Sequence, residues 1–122
     1  MRTPKPMYSS DFWWTYAKHP DFDARCSIFR SESSVPAEIL AYLANDEIWY
    51  IRMIVAMNKR TPIEVLKQLI IDDSSQVRIG VFQNPNCNEE IRLLYFANRK
   101  YGHLMNRHNR AIIPSTYPAI IH

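Results

Sequence analysis

Apolar residues along the chain fall into short one-sided stripes and not into the strict alternation of half-buried strands. Ile39, Leu40, Leu43 and Ala44 follow an i, i+1, i+4, i+5 spacing, and Val65, Leu66, Leu69 and Ile70 follow it again. Each set forms a stripe along one face of a helix. Asp46 and Asp72 interrupt the runs and suit the cap of a following helix, because a short carboxylate can satisfy free N–H groups there. Those following helices would bury Ile51, Ile54 and Val55 in one case and Val77, Val81 and Phe82 in the other. Asn58 and the Asn84-Pro85-Asn86 run read as turns. The pattern predicts two successive helix pairs, over residues 35–60 and 61–86.

Laid over one another without a gap, these two segments agree at eight of 26 positions. The identities are Pro36/Pro62, Glu38/Glu64, Leu40/Leu66, Leu43/Leu69, Asp46/Asp72, Arg52/Arg78, Val55/Val81 and Asn58/Asn84. They fall together at helix starts, core positions and turns, which marks a repeat. In Thr61-Pro62-Ile63-Glu64 the threonine is the expected N-cap, the proline the first helical residue and Glu64 the far side of a capping box. Val35-Pro36-Ala37-Glu38 lacks the capping hydroxyl. A third copy begins in register at Cys87 and fades after about Phe96, whereas Asp23 to Phe29 resembles a second-helix strip displaced by one residue. Two short helices cannot bury their apolar faces alone, but stacked pairs can.

The expected fold is therefore all-α: a short solenoid of two-helix units of about 26 residues, with N- and C-terminal caps, in a single domain spanning 1–122. Residues 1–34 would hold an N-terminal cap and a degenerate unit, 35–60 and 61–86 the repeats, 87–110 a further degenerate unit and 111–122 a tail. The aromatic stretch from Phe12 through Trp13, Trp14 and Tyr16 reads as a capping helix over the first unit's open face. Pro114 and Pro118 in the tail fit either an extended path over the last helix pair or a loose tail.

The run from Thr61 to Asn86 (Thr-Pro-x-Glu-Val-Leu-x-x-Leu, then Asp, Val-Arg, Val and Asn-Pro-Asn) resembles the leucine-rich repeat variant units, relatives of HEAT-type α-solenoids. Residues 35–60 resemble them less well, so the likeness covers about half the chain. It implies a right-handed superhelix in which an α-helix alternates with a second short helix, sometimes 3₁₀. Some members carry an iron–sulfur cluster on an adjacent group of cysteines; no such group occurs here, so the resemblance implies no cofactor. The period is slightly longer than that family's usual unit, which favours a full α-helix as the second element.

Composition adds limits. Two glycines against eight prolines disfavour a hairpin-rich β protein. The net charge of +3 is unevenly placed: residues 1–98 are close to neutral, while 99–122 carry Arg99, Lys100, Arg107 and Arg110 with no acidic residue. No positive stripe runs through the repeats, which argues against nucleic-acid binding by the whole body. Cys26 and Cys87 stand apart with no metal-like spacing, and the histidines form no i, i+3 or i+4 pair. Free thiols, no apolar leader behind Met1 and no apolar run of membrane-spanning length point to a cytoplasmic protein. No phosphate loop or nucleophile elbow appears, so the chain is read as a non-enzyme without metal or cofactor.

The candidate partner-binding residues are of three kinds. Trp49 and Tyr50, with Ile48, stand where the next unit has Ser74, Ser75 and Gln76. Apolar side chains at otherwise polar positions form either an exposed aromatic patch or a packing layer beneath the N-terminal cap beside Trp13 and Trp14. Arg52 and Arg78 share a repeat position and should line up as a ladder. They either bind acidic or phosphate groups or bond the aspartates and turn carbonyls of a neighbouring unit. Arg99, Lys100, Arg107 and Arg110 form either a basic grip or the solvated face of a capping helix. The expectation that unites these observations is a protein-binding module, such as an adaptor or inhibitor of a larger complex, either monomeric or homodimeric. The alternative is a nucleic-acid binder using the C-terminal basic segment.

Overall fold

The computed structural model describes residues 10–30 and 34–101, the side chains of residues 100 and 101 excepted. The described residues are helical, with no strand among them. The order is α1 (Ser10–Ala17), α2 (Phe22–Ser27) running into a 3₁₀ turn (Ile28–Arg30), α3 (Ala37–Leu43), α4 (Trp49–Met57), α5 (Ile63–Leu69), α6 (Ser75–Gln83) and α7 (Glu89–Tyr101). Helices α3 and α5 begin and end 26 residues apart, and so do α4 and α6. Both second helices are α-helical over nine residues.

The stripes read from the sequence are the core. Ile39, Leu40, Leu43 and Ala44 are buried on α3 and its C-terminal turn, and Val65, Leu66, Leu69 and Ile70 on α5. Ile51 and Val55 of α4 pack with Val77 and Val81 of α6 in the same cluster, and Ile91 and Leu94 of α7 extend it. The closest helix pair is α4 with α6. Gly80 makes that approach possible, because a Cβ there would lie 3.1 Å from Ala56 Cβ and 3.3 Å from the Met53 carbonyl oxygen.

Two local expectations are corrected. Thr61 does not cap α5. Its hydroxyl donates to the Val55 carbonyl at 2.6 Å, and the residue is buried. Pro62 takes the N-cap position with no side-chain cap bond, as Pro36 does on α3, so the capping box is not formed. Asp46 and Asp72 are likewise not the N-cap residues of α4 and α6, which are Ile48 and Ser74. Each aspartate sits two residues earlier and accepts the N-cap residue's N–H, at 2.9 Å in both cases. This is the Asx-turn alternative open to a short carboxylate.

Phe82, expected on the inner face of α6, is 38% exposed. Its counterpart on α4, Ala56, is covered by α6 at Gly80. Among the described residues no second helix follows α6 to cover Phe82 in the same way. In place of another short pair, the chain forms the longer α7, whose start is capped by the Asn88 side chain accepting from Ile91 N–H at 2.9 Å.

Candidate functional site

Three arginines occupy one structural role. Arg52 Nε and Nη2 donate to the two carboxylate oxygens of Asp72 at 2.8 and 3.0 Å, and its Nη1 donates to the carbonyl of Asp46, six residues back, at 2.7 Å. Arg25 repeats this: Nε and Nη2 reach Asp46 at 2.8 and 3.3 Å, and Nη1 reaches the carbonyl of His19, again six residues back, at 2.9 Å. Arg78 keeps the carbonyl half of the arrangement, with Nη1 donating to the Asp72 carbonyl and to the Asp73 carbonyl. It has no carboxylate partner among the described residues. The residue 26 positions beyond Asp72 is Asn98.

Each filled clamp ties the start of one second helix to the turn preceding the next. Bidentate, charge-assisted pairing and the low exposure of both partners make these strong local constraints. Arg25 was not among the candidate residues, because its spacing from Arg52 is 27 residues and not 26. The signal was the displaced Asp23–Phe29 strip. His19 takes the aspartate's place in that degenerate unit: its Nδ1 accepts the Asp21 N–H at 3.0 Å, as Asp46 and Asp72 accept theirs.

The tryptophans separate. Trp13 is 2% exposed and lies in the core, so it offers no surface to a partner. Trp14 is partly buried, its ring edge-on to Tyr42 at 5.2 Å with the Lys18 ammonium 5.1 Å from its centroid. Trp49 and Tyr50 are not packed under α1; they are 45% and 42% exposed and stand edge to face at 5.8 Å. Tyr50 leans on Phe22 at 6.2 Å.

Tyr50 also walls an open groove of about 530 Å³ between the 3₁₀ turn and α4. Phe29, Val35, Met53, Ile54 and Met57 supply its apolar surface, and Asn58, Lys59 and Arg60 close one end. Among the described residues no carboxylate lines it. Met57 is 47% exposed, a high value for a thioether on a helix whose other face is core. The sequence carried a signal for Met57, because the matching residue is Gln83, the same apolar-for-polar change seen at Trp49. Phe29 and Val35 carried none, since only the fold brings them to α4.

A second exposed apolar group lies at the other end of the described residues. Phe82 meets Tyr95 edge-on at 5.0 Å, Tyr95 meets Phe96 at 5.3 Å, and Ile79 and Phe96 are exposed. Arg99 is exposed and is held over Tyr95, donating from Nη1 to its hydroxyl at 3.3 Å. Lys100 lies on the last turn of α7. Arg107, Arg110 and the 111–122 tail lie outside the described residues.

Among the described residues there is no cluster of metal-ligating side chains, and no helix is long and apolar enough to cross a membrane. Burial pushes the Cys26 thiol above its ordinary value, with the nearby Arg30 opposing the shift. A raised thiol pKa disfavours the nucleophilic thiolate. Lys67 is shifted upward by its hydrogen bond to Glu90, a link from α5 to α7 at 3.0 Å. No family model, no curated protein and no solved structure matches the chain.

Proposed function

We propose that the chain is a short right-handed α-solenoid that works as a non-enzymatic protein-binding module, an adaptor or inhibitor of a larger complex. The observation that carries this reading is the exposed apolar surface of α4. Trp49, Tyr50 and Met57 are each more than 40% exposed, and Tyr50 and Met57 adjoin the groove against Phe29 and Val35. Aromatic and methionine side chains held on a rigid helix are the usual anchors of a protein interface. Lys59 and Arg60 at the groove's end favour an apolar partner segment with an acidic flank. The solenoid reading is supported by the 26-residue offset of the helix pairs and by the recurring arginine clamp.

Binding of nucleic acid through residues 99–110 is the competing reading. The arginine ladder adds little to it, because the charge of Arg52 is met within the chain by Asp72. The test is affinity capture from the native host with three baits: the wild type, the Trp49→Ala/Tyr50→Ala double variant, and Lys67→Ala as a control away from the groove. A partner protein that is retained by the wild type and the control but lost from the folded double variant is the expected result. Retention by all three, or binding of generic RNA or DNA that falls steeply with added salt, would refute the proposal.

A further inference from the structure

The arginine clamp is a carboxylate-binding site that the described residues fill twice and leave open once. In the filled copies, one edge of the guanidinium (Nη1) is fixed by a carbonyl six residues back, and the other edge (Nε and Nη2) receives an aspartate from the next turn. At Arg78 the first edge is fixed in the same way, to the Asp72 carbonyl. The second edge carries no hydrogen bond among the described residues. Two changes remove the expected acid: the aligned residue is Asn98, and α7 runs on through Tyr101 where α5 had already ended and turned. Glu90, the one acidic side chain on α7 besides Glu89, is engaged by Lys67.

We infer that the free edge of Arg78 is a preorganised site for the side-chain carboxylate of an aspartate or glutamate on a partner polypeptide. Its orientation is already set by the carbonyl bonds, so little rotamer freedom is lost when an acid docks. The two internal copies show the geometry that results: paired N–H to oxygen contacts to one carboxylate. The surroundings specify the ligand further. Ile79 and Phe82, one position and one turn beyond Arg78 on α6, are exposed, as is Phe96 on α7. The partner segment should therefore carry apolar residues beside its acid. These residues are distinct from those of the α4 groove, so the two surfaces succeed or fail separately.

The test is a titration of the full chain followed through arginine Nε–Hε cross-peaks by NMR, with the Arg78 peak assigned by its absence in Arg78→Lys. The probe is the peptide acetyl-Leu-Asp-Leu-Leu-amide, with its asparagine counterpart and inorganic phosphate as comparisons. The Arg78 peak should exchange fast with water in the free protein and move downfield to saturation with the aspartyl peptide. It should not move with the asparaginyl one, and the Arg25 and Arg52 peaks should stay in place throughout. Affinity measured on Arg78→Lys should be roughly tenfold weaker, because an ammonium cannot reproduce the bidentate fork. An Arg78 peak that is already protected, that ignores the aspartyl peptide, or that responds equally to the asparaginyl peptide would overturn the inference. A larger response to phosphate at equal concentration would overturn it in favour of a phosphate ligand.

Discussion

Asp72 meets three demands with one side chain and its own carbonyl. Its carboxylate receives the two donors of Arg52 and the N–H of Ser74, and its carbonyl receives Arg78. It is 2% exposed, so each of these bonds replaces solvation that the folded chain cannot supply. Residue-level chemistry also separates the two cysteines. Cys26 is buried with its thiol pushed up, whereas Cys87 is only partly buried. Alkylation of the native protein at pH 8 should label Cys87 and leave Cys26 unmodified until denaturant is added, as mass spectrometry of the digested protein would register. The raised thiol value also fixes a sign. Above 9.0 the unfolded chain loses the Cys26 proton first, so this group lowers stability as pH rises beyond that point.

Which side chains pair was partly legible at this scale. A repeated arginine beside a repeated aspartate was visible in the alignment of the two segments, and Arg52 pairs as one of its two readings had it. The role of Thr61 was not legible. A threonine before a proline and three residues ahead of a glutamate carries the signature of a capping box, but here the Val55 carbonyl lies within 2.6 Å of the hydroxyl. Thr61 is buried, so its hydroxyl has to find a partner inside the chain, and the Val55 carbonyl takes it as a second donor beside the Asn58 N–H.

Between elements, spacing is decided by small residues. Gly80 lets α6 approach α4 at Ala56, and both positions are buried. Gly80→Ala should be close to neutral, since a helical gain of about 1 kcal/mol is offset by crowding of similar size. Gly80→Leu adds bulk that the Met53 carbonyl and Ala56 Cβ cannot yield to, and should destabilise by about 2 kcal/mol or more. Urea midpoints of the two variants would check this. The positions of α3 to α6 could be read from the chain because each stripe has helical period and each break has a turn residue. The length of α7 could not. Residues 87–96 look like the start of another short pair, but Ile91, Leu94 and Ala97 continue one buried stripe past the point where α5 ends.

At the scale of the whole molecule, the described residues divide between joints and displays. The clamps, Asn84 and Gly80 join one helix pair to the next. Asn84 donates to the carbonyls of Ala56 and Asn58, 28 and 26 residues back, at 2.8 and 2.9 Å. Trp49, Tyr50 and Met57 on α4, and Ile79, Phe82 and Phe96 on α6 and α7, are held on helices with much of their surface uncovered by the described residues. The first display was foreshadowed wherever one segment is apolar and its partner polar. The groove beside it was not, because Phe29 and Val35 reach α4 only through the packing of the 3₁₀ turn and the segment that follows it. The second display lies where the longer α7 takes the place of another short helix pair, a change that the local pattern up to Phe96 does not announce.

The account rests on the clamps as the joints between successive helix pairs. The direct measurement is a double-mutant cycle on Arg52 and Asp72, using urea unfolding of the wild type, Arg52→Met, Asp72→Ala and the double variant. A buried, bidentate pair should give a coupling energy of roughly 2 kcal/mol or more, with Asp72→Ala alone losing about 3–5 kcal/mol. Additive single effects with coupling near zero would contradict the account, because Arg52 and Asp72 would then not be joined in solution.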